Sequence, residues 1–357
     1  MYKSILIRGG RIFDGEKFFS GDVLVENGRI AQLGTVTATD VYFVYDATGM
    51  TVCPGLVDIH AHMTGITDDI YATPAESSLF PFGVTAAVEA SASGGDRSIP
   101  DRLMLDTRVF VTVEVKDDRA YFEKTEALLN AFGDRAIGVK VFFDTANPEL
   151  RSIAPLAQAV AFAEARGLKV MVHSTGTPVP MVDVVNTLRP GDILSHFYHG
   201  GKNQSSENDF EAYHLAKAKG VVIDVGMAGH IHTDFALLKT AIDQGLLPDT
   251  LGSDITCFSA FTRGGNYGLT LCMSILKNMG MAEEALFPLV TVNAAKAAGM
   301  EGKWGKLNVG DMANIAVLDW GENPYDFREN PANTVSGKEG YRCRLTICQG
   351  KVTYRSI

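Results

Sequence analysis

The sequence predicts an α/β protein, a (β/α)8 TIM barrel carrying a small β-sandwich domain built from both chain termini. Three observations predict it. Eight short apolar runs with strand character recur at 56–60, 84–90, 109–115, 137–143, 169–173, 192–196, 221–225 and 250–255. Helical periodicity falls between them, clearest at 119–132, 153–165, 207–219 and 233–244. Both ends of the chain, by contrast, read as short strands separated by turns. Strand, loop and helix repeated over about 245 residues is the usual extent of a closed parallel barrel. The barrel is therefore expected over 55–300, and the β domain over 1–54 together with 301–357.

The elements follow in order. At the start, 4–8, 22–25 and 30–33 are apolar or alternating. Gly9-Gly10 and Asn27-Gly28 supply turns, and Asn-Gly between two strands is a strong hairpin signal. At the end, Gly310-Asp311 precedes an apolar strand at 314–318, and Gln349-Gly350 joins 344–348 to 351–354. No internal repeat or low-complexity segment interrupts the pattern.

Composition excludes several classes. The 357 residues carry 32 Lys and Arg against 42 Asp and Glu, a formal net charge of −10. That balance argues against a nucleic-acid backbone or an anionic membrane surface as the main partner. With 46% hydrophobic and 21% charged residues, the chain has the material for a large core and not for disorder. No run approaches the roughly 18 apolar residues of a membrane span. The first residues include Ile5-Leu6-Ile7 but no basic region or long apolar stretch of a leader. Five scattered cysteines, odd in number and never spaced C-x-x-C, fit a reducing cytoplasm. They fit neither a disulfide framework nor a thiolate zinc site.

Active sites of such barrels gather where the strands end, at the C-terminal face. The first strand ends Asp58-Ile59-His60-Ala61-His62, and alternation along a strand sends His60 and His62 to the same side. The fourth carries Lys140, the fifth ends at His173, the sixth at His196 and the eighth at Asp254. Four imidazoles, a carboxylate and a lysine converge from five strands on one rim. Imidazole and carboxylate in this combination suit zinc or a similar first-row divalent ion. A lone strand histidine is more often structural, but half of the chain's eight histidines fall at strand ends here. His199, His230 and His232 follow strands six and seven, where loops line the same mouth, whereas His214 lies in a polar helix and faces solvent.

The segment Cys53-Pro54-Gly55-Leu56-Val57-Asp58-Ile59-His60-Ala61-His62 resembles the PG-x-D-x-H-x-H signature of the amidohydrolase superfamily. The tail, Thr291-Val292-Asn293-Ala294-Ala295-Lys296 followed by Lys306-Leu307-Asn308-Val309-Gly310-Asp311-Met312-Ala313-Asn314, resembles that superfamily's return into its β domain, with Ala294 where a proline is usual. The resemblance spans essentially the whole chain. It is closest to deacetylase-like members often labelled dihydroorotase or adenine deaminase.

The resemblance implies two divalent metal ions, with zinc the leading candidate, and N6-carboxylation of Lys140, since a free ammonium cannot ligate a cation. One ion would be held by His60, His62, Lys140 and Asp254, the other by Lys140, His173 and His196. Asp254 would also act as the general base. His230 or His232, Arg263 and Tyr267 are expected at the substrate, the last two holding a carboxylate.

The expected activity is hydrolysis of an amide or ester bond of a small carboxylate-bearing molecule, an N-acyl or O-acyl acid. Cyclic-amide hydrolysis uses the same metal pair, and a non-catalytic metal-binding scaffold would be the reading of another class. Relatives of this kind are often homo-oligomers. The substrate shell departs from the subgroup. Met227 follows Gly226 where a histidine is expected, Ile255-Thr256 follow Asp254 where a histidine is frequent, and Glu89-Ala90-Ser91 stands for a common Asp-Ala-Gly.

Overall fold

The protein's structure, a computed structural model, describes residues 4–38, 40–67, 70–95, 98–227, 232–262 and 267–356. Seven parallel strands stand side by side in chain order: Leu56–Ala61, Val84–Ala92, Asp106–Thr112, Ala136–Phe142, Lys169–His173, Ile193–Ser195 and Val222–Asp224. The first two are buried along their whole length, as strands covered on both faces must be. The eighth position, 250–255, is an irregular strand. Parallel bridges join Thr250 to Asp224 at one sheet edge and Ile255 to Ala61 at the other, and the barrel closes.

Helices cover the outside as the periodicity requires. In Ala154–Glu164 the residues Leu156, Ala159, Val160 and Ala163 are buried, the stripe that an amphipathic helix turns to a sheet. Phe235–Asp243 begins at Asp234, whose carboxylate accepts from the Leu237 N–H, a standard helix cap. The helix expected from position 119 starts later. Glu114–Lys116 and Arg119–Tyr121 pair as a small hairpin around Asp117 and Asp118, both left-handed, and the helix is Glu123–Phe132.

The termini supply the second sheet. Ser4–Phe13, Phe18–Glu26, Arg29–Gly34, Phe43–Asp46 and Thr51–Pro54 join Ile315–Asn330, Asn333–Cys348 and Lys351–Arg355 in one eight-stranded, mostly antiparallel sheet. Asn27 and Gly28 take φ of 51° and 81°, the left-handed pair of a tight hairpin turn. The sheet has a core of its own, including Ile5, Ile12, Val23, Ile315 and Ile347, separate from that of the barrel.

The two long C-terminal strands exceed the expectation of short runs at 314–318 and 344–348. They form a 16-residue-per-strand hairpin whose outer part leaves the β domain and reaches the barrel's loops. At its tip Phe327 stacks on Tyr267 with ring centroids 5.0 Å apart. Asn333 there accepts from the Phe235 N–H at 3.1 Å and donates to the Thr233 carbonyl at 2.6 Å. Among the described residues no helix is long and apolar enough to cross a membrane. The five cysteines are free thiols, four of them buried.

Candidate metal centre

His60, His62, Asp254, His173 and His196 meet at the C-terminal mouth, as strand alternation predicts. Two groups form there. His60, His62 and Asp254 bring one potential ligand atom each to within 4.8 Å of one another, and so do His173, His196 and His232. The groups touch. The His60 and His196 rings lie 5.0 Å apart, and the Asp254 carboxylate reaches both sides, 2.9 Å from His62 Nε2 and 3.8 Å from His232 Nε2. Lys140 is almost fully buried, with Nζ 3.3 Å from His60 Nε2. Burial, opposed by Asp254, Asp224 and Glu89, lowers its pKa to about 8.

Residues from other strands fix each ring. Ser195 donates its hydroxyl proton to Asp224 Oδ2 at 2.7 Å, so its oxygen accepts from His60 Nδ1 at 2.8 Å. His60 therefore carries its proton on Nδ1 and keeps a bare Nε2 toward Lys140. His196 repeats the logic, since its Nδ1 donates to the Gly226 carbonyl at 2.8 Å. Its Nε2 is then an unprotonated nitrogen, buried, with no hydrogen-bond partner. A buried polar atom left alone is costly, and a lone pair aimed at other ring nitrogens is what a cation requires. On that ground the residues fit a divalent metal.

His62 Nδ1 sits 3.1 Å from Ser91 Oγ and 3.5 Å from Glu89, while Glu89 also accepts from the Met63 and Ser91 N–H groups. Burial alone would lower the His62 pKa, but the bonds to Asp254 and Glu89 raise it to about 10. His60, His173 and His196 are held well below the usual imidazole range by burial and by neighbouring cationic groups. They are thus neutral imidazoles, the form that can ligate a cation.

The backbone is strained at two of these residues. His196 and Asp254 have φ of 62° and 52°, a conformation costing a non-glycine residue about 1–3 kcal/mol and concentrated at functional sites. Two glycines make room. A Cβ on Gly226 would lie 2.6 Å from His196 Nδ1, and one on Gly252 would lie 2.5 Å from His60 Cβ.

Not every expected contact is formed. His230 and Arg263 lie outside the described residues. Tyr267 does not hold substrate: it is 1% exposed, packed on Phe327, and its hydroxyl donates to the Ser253 carbonyl at 2.5 Å. The aromatic ring that looked available on a glycine-rich loop instead props the eighth strand from behind. His199 is buried, and its Nδ1 accepts from the Gly176 and Gly201 N–H groups. Its proton is therefore on Nε2, which disqualifies it as a ligand. His214 is exposed, as expected.

Ser195, Asp224 and Thr175 lie at the site without having been singled out in the sequence, and Glu89 and Ser91, read there as a departure in the substrate shell, instead flank the His62 ring. Their signal was present as polar residues inside or just after apolar strand runs.

The chain matches the Amidohydrolase family over residues 51–353, and it belongs to that family. It is 27% identical to a deacetylase of Agrobacterium fabrum over 84% of this chain and 78% of that protein. It is 23% identical to a 5'-deoxyadenosine deaminase of Methanothermobacter thermautotrophicus over 99% of this chain and 93% of that one. A dihydroorotase crystal structure superposes with a TM-score of 0.83 at 22% identity, covering 98% of both chains, which establishes the shared barrel fold.

Proposed function

We propose that the protein is a metal-dependent hydrolase of an amide bond in a small molecule, with two divalent ions, zinc by ligand type, seated in the two facing groups. His60, His62 and Asp254 would hold one ion, and His173 and His196 the other, with Lys140 as N6-carboxylysine between them. The observation that carries this reading is the buried, partnerless Nε2 of His196 facing a second imidazole–carboxylate group across Asp254. When bound, such an ion pair supplies a hydroxide at neutral pH and polarises the substrate carbonyl. Relatives named deacetylase, deaminase and dihydroorotase break a C–N bond, and the reading extends that chemistry to this chain.

The chain's own residues supply the rest. The Asp254 carboxylate, within reach of both groups, accepts the proton released as the nucleophile forms and returns it to the departing nitrogen. Lys140 must be a free amine to add carbon dioxide, forming the N–C bond of a carbamate and releasing one proton. Burial lowers its pKa to about 8, which leaves part of it unprotonated near neutrality. The carboxylate expected on the substrate loses one of its two proposed anchors, Tyr267, so the proposal is stated for amides in general.

The test is metal analysis of protein purified without chelator, followed by a panel of N-acyl and cyclic amides. Two ions per chain, a mass gain of one carbon dioxide lost on acidification, and turnover on the panel are expected. Asp254→Asn should keep a ligating oxygen yet lose 10²–10⁴ in turnover per bound metal pair, the usual worth of acid–base catalysis. A protein without bound metal after reconstitution, or Asp254→Asn with normal turnover per ion pair, refutes the reading.

A further inference from the structure

The strand-seven loop delivers a histidine that the two-metal ligand set does not include. His232 lies against both imidazoles of the second group, with ring centroids 4.2 Å from His196 and 4.8 Å from His173. One nitrogen of each ring falls in a common cluster within 4.8 Å. Its outer nitrogen, Nδ1, is 2.9 Å from Thr175 Oγ1, and its Nε2 is directed at the shared Asp254, 3.8 Å from Oδ2. His196 is held in the same manner, with Nδ1 on the Gly226 carbonyl and Nε2 toward the centre. An imidazole with one nitrogen anchored by an oxygen and the other among further ring nitrogens has the arrangement of a metal ligand. The three rings form a triangle with centroid separations of 4.2, 4.4 and 4.8 Å, a grouping suited to three ligands of one ion.

We propose that His232 is a ligand of the second metal ion, completing a three-imidazole set with His173 and His196, and that Thr175 is its positioning residue. Three imidazoles with a remaining open position are a ligand complement found for catalytic zinc. It follows that the second ion has three protein nitrogens before Lys140 contributes anything, so occupancy of that site does not depend on lysine carboxylation. The role expected for His232 from sequence, a substrate contact, is thereby replaced. The inference rests on the metal-dependent reading proposed above.

The experiment measures zinc stoichiometry by elemental analysis and zinc affinity by chelator competition, on reconstituted wild-type protein and on His232→Ala, Thr175→Val and Lys140→Ala. His232→Ala should lose one equivalent of zinc relative to wild type, or hold it at least 100-fold more weakly. Thr175→Val, which keeps the imidazole but frees it, should weaken one ion by 10–100-fold, the range for removing an orienting partner. Lys140→Ala should retain the ion that His232→Ala loses. His232→Ala and Thr175→Val that both bind zinc as wild type does overturn the inference, whatever their KM. Loss of both ions in Lys140→Ala overturns the independence from carboxylation. Wild-type protein that binds no zinc refutes the underlying metal reading instead, a result distinct from any of these. Thr175→Val keeps the proposal falsifiable if His232→Ala does not fold.

Discussion

Replacing Asp224 by Asn should impair metal binding although Asp224 is expected to touch no metal. In the native chain the carboxylate accepts three bonds, from Ser195 Oγ at 2.7 Å on Oδ2, and from Thr250 Oγ1 at 3.0 Å and the Gly252 N–H at 2.8 Å on Oδ1. Asparagine can keep its oxygen on the Oδ1 side, where two donors wait. Its NH₂ must then occupy the Oδ2 position and donate to Ser195. The serine proton is displaced toward His60 Nδ1, which becomes an acceptor, and the His60 proton moves to Nε2, the nitrogen meant for the ion. A reversed tautomer of this kind is a known means of disabling a histidine without moving it.

The expected cost is 10–100-fold in affinity for one ion, the usual effect of losing an outer partner, or about 1.4–2.8 kcal/mol. Stability should not fall with it. Burial pushes the Asp224 pKa up to about 6, so the native charge is itself unfavourably placed and the neutral amide removes that cost. The assay pairs chelator competition with thermal melting of the metal-free protein, using Ser195→Ala for comparison. The alanine leaves the carboxylate in place, 3.5 Å from His60 Nδ1, and so leaves the tautomer biased correctly. Asp224→Asn should therefore weaken metal more than Ser195→Ala does. The opposite order, or Asp224→Asn with wild-type affinity, refutes the relay.

Two further outcomes follow from groups beside the centre. Burial lowers the His199 pKa to about 4, with a smaller contribution from the His232 charge. The unfolded chain therefore binds a proton below about pH 6.5 that the folded chain refuses. This share of stability is complete above pH 6.5 and falls as pH drops toward 4, by about 3 kcal/mol in all. Denaturant melts of metal-free wild type and His199→Gln, whose side-chain oxygen can take the two backbone N–H groups, should diverge across that window, and parallel profiles would contradict it. Tyr267→Phe strands the Ser253 carbonyl and should cost about 1–3 kcal/mol in melting experiments with little change in KM. A tenfold rise in KM at unchanged stability would return Tyr267 to the substrate.

What was legible in the sequence was what periodicity governs. His60 and His62 two apart on one strand, and His173, His196 and Asp254 at later strand ends, follow from alternation and from the barrel's habit of placing chemistry at one face. His232 could not be placed that way, because no period governs the path of a loop between Gly226 and the cap at Asp234. The hairpin arm was hidden for a different reason. Its outer half is polar and contains Pro324, and its pairing shifts register between Glu322 and Tyr325, so it reads as loop. It is a strand because one of its faces meets the barrel, a tertiary cause that local pattern does not carry. The tautomers of His60 and His196 were equally out of reach, since each is set by a residue distant in sequence, Ser195 across the barrel for one and Gly226 beyond the seventh strand for the other.

Those cross-strand bonds also explain how the barrel closes. A strand that bends into the left-handed region at Asp254 cannot present a regular ladder to either neighbour. The eighth segment keeps backbone bonds such as Asp254 N–H to the His60 carbonyl at 2.7 Å and His62 N–H to the Ile255 carbonyl at 3.1 Å. Side chains supply much of the remainder. Asp224 accepts from Thr250 and Gly252 on one side, and Asp58 accepts from the Ser253 N–H and hydroxyl on the other. Asp58 also receives the His60 N–H at 3.2 Å, and Asp224 governs the His60 ring through Ser195. The two carboxylates that fasten the last strand are thus the two that fix His60 in place. Closure of the fold and orientation of His60 share one hydrogen-bond network, so an alanine at either carboxylate, which removes the acceptor oxygens, is expected to act on metal affinity and on the seam of the barrel together, whereas Asp224→Asn keeps the Thr250 and Gly252 bonds and acts on metal affinity alone.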